Sequence, residues 1–172
     1  MKSTTLQIYL TAFILILAQG ITDSFVDISR YVLISFLPFI TLRMPYKSST
    51  PAVLLVSFVA GLVADFLGGG IIGLNSASLT FAGLLRGRII KTVVGKDVIE
   101  KEKRPSVLVT GQVSFLIYSA LLIALYELCY IFLDSMGSAS FLFNLTRFAI
   151  SVPVNTAISM LLFNLCTNNP RQ

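Results

Sequence analysis

Residues 51–90 read PAVLLVSFVAGLVADFLGGGIIGLNSASLTFAGLLRGRII, two apolar runs joined by three glycines and closed by a basic end. Pro51 suits a helix start, because the N–H it lacks would have no partner inside the helix there. From Pro51 to about Leu67 the one ionisable side chain is Asp65. Gly68, Gly69 and Gly70 then break the run before a second extends from Ile71 to Ile90. A helix needs about 20 apolar residues to cross a hydrocarbon core of about 30 Å, so the stretch reads as a tight transmembrane hairpin.

Four further runs flank it, and the expected spans are 6–21, 26–42, 51–67, 71–90, 106–133 and 141–165. The second is short and carries Pro38, which removes a backbone donor and is expected to kink it. The fifth exceeds one bilayer crossing and implies tilt or a protruding end. No small-residue cleavage pattern is evident around Ala18, Gln19 and Gly20, so the first run reads as a retained span rather than a cleaved signal. The fold class is therefore an all-α membrane protein, a six-helix bundle forming one polytopic domain.

Composition agrees. Charged residues make up 12% of the chain and hydrophobic ones 55%, with a net charge of +5, whereas a soluble domain is usually about a quarter charged. The basic excess is concentrated: Arg86, Arg88, Lys91, Lys96, Lys101, Lys103 and Arg104 fall in one stretch, whose 91–105 portion forms a loop with Gly95 as a break. Basic loops are retained on the cytoplasmic side. Six spans with both termini inside place this cluster, Lys2, Arg43, Lys47 and Arg171 in the cytoplasm and leave Arg30 alone outside. The placement reads as topology, with attraction to anionic membrane lipid as a weaker use, and not as a nucleic-acid surface.

Histidine is absent, and Cys129 and Cys166 lie in or at the edge of apolar runs. The sequence thus predicts no catalytic residue, no metal and no cofactor, and the protein is expected not to be an enzyme. Three ionisable residues fall within spans: Asp65, Glu127 and Arg147. Each costs roughly 2.5 to 3.5 kcal/mol at mid-helix unless paired or hydrated. All three lie in the outer part of the membrane, so Arg147 is expected to bridge the third, fifth and sixth helices through Asp65, Glu127 or both. Small residues supply the other pattern. Ser57, Gly61 and Ala64 on the third helix, with Gly73, Gly83 and Gly87 on the fourth, allow close helix approach. They serve either the hairpin's own packing or a partner helix. Asn75 follows the turn and suits a capping role, while Asn144, Asn155 and Thr156 can satisfy the carbonyl freed by Pro153.

The segments Val59 to Gly68, Gly73-Leu74-Asn75-Ser76-Ala77-Ser78-Leu79, Leu84-Leu85-Arg86 and Leu145-Thr146-Arg147 together resemble the rod-shape-determining protein MreD family. The shared pattern is a Gly-rich hairpin with an acid late in one helix, a Gly-Leu pair after the turn and a basic end to the next. Gly61, Asp65, Gly73 and Arg86 match it, while the N-terminal third adds almost no motif. The resemblance implies a non-enzymatic scaffold of the bacterial cell-elongation complex in the cytoplasmic membrane. Its implied partners are MreC, the actin-like filament protein MreB, a SEDS-type glycosyltransferase and a class B penicillin-binding protein. At fold level that family is similar to the six-helix substrate-binding subunits of energy-coupling vitamin transporters. The alternative function is therefore a small-solute transporter subunit.

Overall fold

The structure, a computed structural model, describes residues 2–25, 31–95, 110–136 and 139–167. Those residues form six α-helices and no strand: α1 (Lys2–Phe25), α2 (Leu37–Arg43), α3 (Thr50–Gly68), α4 (Leu74–Val93), α5 (Gln112–Ser135) and α6 (Phe141–Thr167). Thr50–Gly68, Gln112–Ser135 and Phe141–Leu165 are each long and apolar enough to cross a membrane. In α1 the qualifying apolar stretch is shorter, Leu10–Asp23.

The hairpin of α3 and α4 forms as its sequence dictates. Pro51 lies in the first turn of α3. Gly69 then ends α3 at φ 66° and Gly73 opens α4 at φ 98°, left-handed conformations that cost glycine little and other residues more. Packing follows chain order, α3 against α1 and α4, α4 against α5, and α5 against α6, with α2 enclosed among α1, α3, α4 and α5. The bundle therefore has a turn end, with Gly69, Gly73 and the α5–α6 connection, and a basic end, with Arg86 and the close of α2.

The expected helical span 26–42 is corrected by the structure. Residues 26–30 lie outside the described residues, residues 32–35 have no regular secondary structure, and only Leu37–Arg43 is helical. Pro38 sits in the first turn of this short helix, where a proline costs nothing, so it starts the helix instead of kinking a long one. The segment is buried: Leu37, Phe39 and Leu42 are in the core.

Chemistry also divides α4 from its neighbours. It bears Asn75, Ser76, Ser78 and Arg86, all buried against other helices, so it falls outside the helices apolar enough to span by composition alone. Its polar groups meet protein instead of lipid. On the opposite surface, Leu55, Phe58, Leu62 and Phe66 of α3 and Leu116, Leu121 and Phe132 of α5 are exposed, Phe66 to 78%. Exposed apolar surface of this extent marks a membrane or protein contact.

Candidate functional site

Backbone without helix or sheet cannot remain unpaired at membrane depth, because each bare N–H or C=O costs several kcal/mol. Residues 33–36 meet this requirement through side chains from both sides of the bundle. The Gln19 amide on α1 accepts from the Phe36 N–H at 2.8 Å and donates to the Ile34 carbonyl at 3.3 Å. Asn155 on α6 accepts from the Ser35 N–H at 2.9 Å and donates to the Leu33 carbonyl at 2.7 Å. The Leu33 N–H donates to the Ser151 hydroxyl at 2.9 Å. Two carboxamides thus stand in for the neighbouring strands that an extended chain would have in a sheet.

The same side chains continue into a network across the bundle. Gln19 donates to Asp23 at 2.8 Å. The Ser35 hydroxyl donates to Tyr126, which in turn donates to the Asn75 carbonyl oxygen. Asn155 also donates to Glu127 Oε1, while Glu127 Oε2 has no partner and the residue is fully buried. An isolated buried carboxylate would be far too costly; the second oxygen leaves Glu127 as the one incompletely satisfied member of this network.

Asp65 does not pair with a cation. Its carboxylate accepts from the backbone N–H groups of Gly73 and Asn75, both at 2.9 Å, and Ser76 at 3.2 Å. Those donors belong to the start of α4, which has no side-chain cap of its own. Asp65 therefore caps α4 from the preceding helix, a charge-assisted arrangement that the positive end of the helix dipole favours. The expected bridge from Arg147 to Asp65 is corrected accordingly, while Glu127 lies within electrostatic reach of Arg147 without a hydrogen bond to it. Arg147 pairs with Asp134 at the end of α5, because a side chain on α6 leans toward its own N-terminus and so toward the turn end. Asn75 turns its side chain to Tyr126.

Arg86 is buried to 2% exposure without an acid against it. Its Nε donates to the Tyr118 hydroxyl at 3.0 Å and its Nη2 to the carbonyls of Met44 and Pro45 just beyond α2. A cation belongs at a helix C-terminus, where unpaired carbonyls accumulate. Asp65 and Arg86 are thus matched devices, one closing the start of α4 and the other the end of α2. Within the basic cluster, Arg88 and Lys91 are exposed; Lys96, Lys101, Lys103 and Arg104 lie outside the described residues.

Ser57, Gly61 and Gly83 serve the hairpin's own packing. A Cβ on Gly61 would stand 2.4 Å from the Cα of Ser76, and one on Gly83 would stand 2.9 Å from the Ser57 hydroxyl. Ser57 and Ala64 are fully buried. Gly87 is open, with nothing within 4 Å. A similar approach joins α1 to α3, where a Cβ on Gly20 would meet that of Leu67 at 2.7 Å.

Gln19, Ser35 and Asp134 escape a search for intramembrane charges, because two are neutral and the third sits at a helix end. The signal available for Gln19 is a primary amide within an apolar run. Asn155 is visible as such, but its partners are on the unwound segment and at Glu127, and of the polar residues near Pro153 it is Thr156 that bonds back within α6, to the Val152 carbonyl at 2.7 Å. Elsewhere, Phe81 of α4, Leu128, Cys129, Ile131 and Phe132 of α5, and Phe141, Asn144, Leu145 and Phe148 of α6 line an open apolar groove of about 560 Å³. No group of three or more potential metal-ligating side chains occurs among the described residues. Comparison with protein-family models, curated proteins and solved structures finds no match to this chain.

Proposed function

We propose that the protein is a non-enzymatic scaffold in the bacterial cytoplasmic membrane, a member of the MreD type that joins the MreB filament and MreC to the SEDS glycosyltransferase and class B penicillin-binding protein during cell elongation. In this reading the chain crosses six times, the second crossing being the unwound segment with α2, and both termini face the cytoplasm with the basic cluster. The observation that carries the reading is how the buried polar groups are used. Gln19, Asp65, Asn75, Arg86, Tyr126 and Asn155 spend their hydrogen bonds on backbone and on other side chains of the bundle. What remains for recognition is apolar helix surface, the groove and the cationic end, which suit partner helices and membrane-proximal proteins. Depleting the protein in its host tests this: rod cells round up and swell, and MreC no longer copurifies with MreB. Cells that keep their shape contradict it.

A second reading, a small-solute transporter subunit, draws on one observation. Unwound backbone beside polar side chains near a bundle centre is how transporters build substrate sites. It predicts that Asn155→Ala abolishes uptake of a nutrient while cell shape and protein level persist. In the scaffold reading the same variant lowers the protein level and rounds the cells.

A further inference from the structure

Glu127 is fully buried, yet only one of its carboxyl oxygens is engaged. Asn155 donates to Oε1, and Oε2 has no partner. Arg147 bears on the group electrostatically, but its own hydrogen bond goes to Asp134. An ionised carboxylate held this way would be a buried charge without the close ion pair or the several donors that offset its desolvation. A proton on Oε2 removes the charge. A metal cation suits the place less well, because hard cations require several oxygens. The oxygens around Asn155 already accept hydrogen bonds: Asn155 Oδ1 from the Ser35 N–H, the Leu33 carbonyl from Asn155, and the Ser151 hydroxyl from the Leu33 N–H. The nearby guanidinium repels a second cation as well.

Two facing helix stripes lead from this acid to the turn end. On α5, Glu127, Tyr130 and Asp134 follow at spacings of three and four, and on α6, Arg147, Ser151 and Asn155 recur every fourth residue, so each set shares one face. Tyr130 interacts electrostatically with both Asp134 and Arg147. That pair reaches the surface, with side chains 17% exposed at Arg147 and 30% at Asp134. Asp23 of α1 and Asp65 of α3 also act on Tyr130, and Asp23 acts on Tyr126 beside Glu127. The cations of α2 and α4, Arg43, Arg86, Arg88 and Lys91, stand toward the basic end. Arg147 is therefore the charge that bears on Glu127 itself.

We propose that Glu127 is an exchangeable proton site, the proton on Oε2 passing to and from water at the turn end, and that its occupancy sets the hold of Asn155 on the unwound segment. With the proton in place, the Asn155 amide divides its two N–H bonds between the Leu33 carbonyl and Glu127 Oε1. Release leaves a carboxylate, which binds a donor about twice as strongly as a neutral acceptor does. It draws the amide away from the Leu33 carbonyl, and the Ser35 N–H loses its acceptor as the amide turns. Low pH thus holds the segment and high pH loosens it. The site requires that the bundle lie in a membrane and is independent of the scaffold reading.

The test uses the full chain in lipid nanodiscs, with infrared spectra and amide hydrogen–deuterium exchange recorded from about pH 6 to about pH 9, where ordinary carboxyl groups are ionised. At the acid end of that range the spectrum contains the carbonyl stretch of a protonated carboxyl, which Glu127→Gln removes and Asp23→Asn leaves in place. As the pH rises the band disappears, and protection of the Ser35 amide, corrected for its intrinsic exchange rate, falls at least tenfold while the middle of α5 stays protected. In Glu127→Gln the Ser35 protection stays level across the range. Exchanging choline for sodium in the buffer leaves the band unchanged. Absence of the band from the unmodified chain overturns the proposal, even where Glu127→Gln fails to fold. Loss of the band in Asp23→Asn overturns it too, as does a fall in Ser35 protection that persists in Glu127→Gln. Displacement of the band by sodium also overturns it, since the ligand is then a metal cation.

Discussion

Asp65 and Arg86 are the two residues whose roles a charge count would misassign. Asp65 reads as an ion in search of a counter-ion and Arg86 as part of the basic cytoplasmic cluster, and each is bound instead to helix-end backbone. Asp65→Ala leaves three α4 N–H groups without their acceptor, at about 1 to 3 kcal/mol for each one that stays buried and unpaired. Its thermal unfolding midpoint in detergent should fall well below that of Arg88→Ala, an exposed change within about 0.5 kcal/mol. Arg147 gives a sharper test. Exchanging its charge with Asp134, as Arg147→Asp with Asp134→Arg, should restore much of the stability lost by Arg147→Asp alone, whereas exchange with Asp65 should restore none. Recovery by the Asp65 exchange would return Asp65 to the bridge expected from sequence. At this scale the sequence marks which charges fall within apolar runs, but backbone partners are invisible to it: a carboxylate three residues before a glycine turn looks the same whether it meets a cation or three N–H groups.

Between elements, the hairpin was legible and the unwound segment before α2 was not. Glycines and a proline mark α3 and α4 because they act locally, and Gly61 fits since α4 backbone occupies the space its Cβ would take. Gly61→Ala should therefore destabilise by about 1 to 3 kcal/mol through overpacking, while Gly87→Ala, facing open space, should be neutral or slightly stabilising in the same unfolding assay. Equal effects at the two positions would place the tight contact elsewhere. The unwound stretch before α2 has the apolar composition of a helix, and nothing within residues 31–36 announces that it is extended. Its conformation depends on Gln19 and Asn155, which lie 17 and 120 residues from the backbone groups they hold. Tertiary partners of that kind override local propensity, and a reading of hydropathy alone cannot find them.

For the molecule as a whole, an apolar exterior surrounds a bundle whose hydrophobic core carries a buried polar network, and that network ties α1, α4, α5 and α6 to one unwound segment of chain. Where exterior and core are equally apolar, such a network supplies the specificity of packing. Removing Asn155 therefore has consequences beyond α6: Asn155→Leu strips partners from Leu33, Ser35 and Glu127 together. Its effect should exceed that of Thr156→Val, which loses one bond within its own helix. Amide hydrogen–deuterium exchange of the full chain in lipid nanodiscs tests the central claim most directly. Leu33, Ser35 and Phe36 should exchange as slowly as the middle of α5 despite lying outside any helix, and Asn155→Leu should release Ser35 by at least tenfold while α5 stays protected. Rapid exchange at these three amides in the unaltered protein would contradict the account.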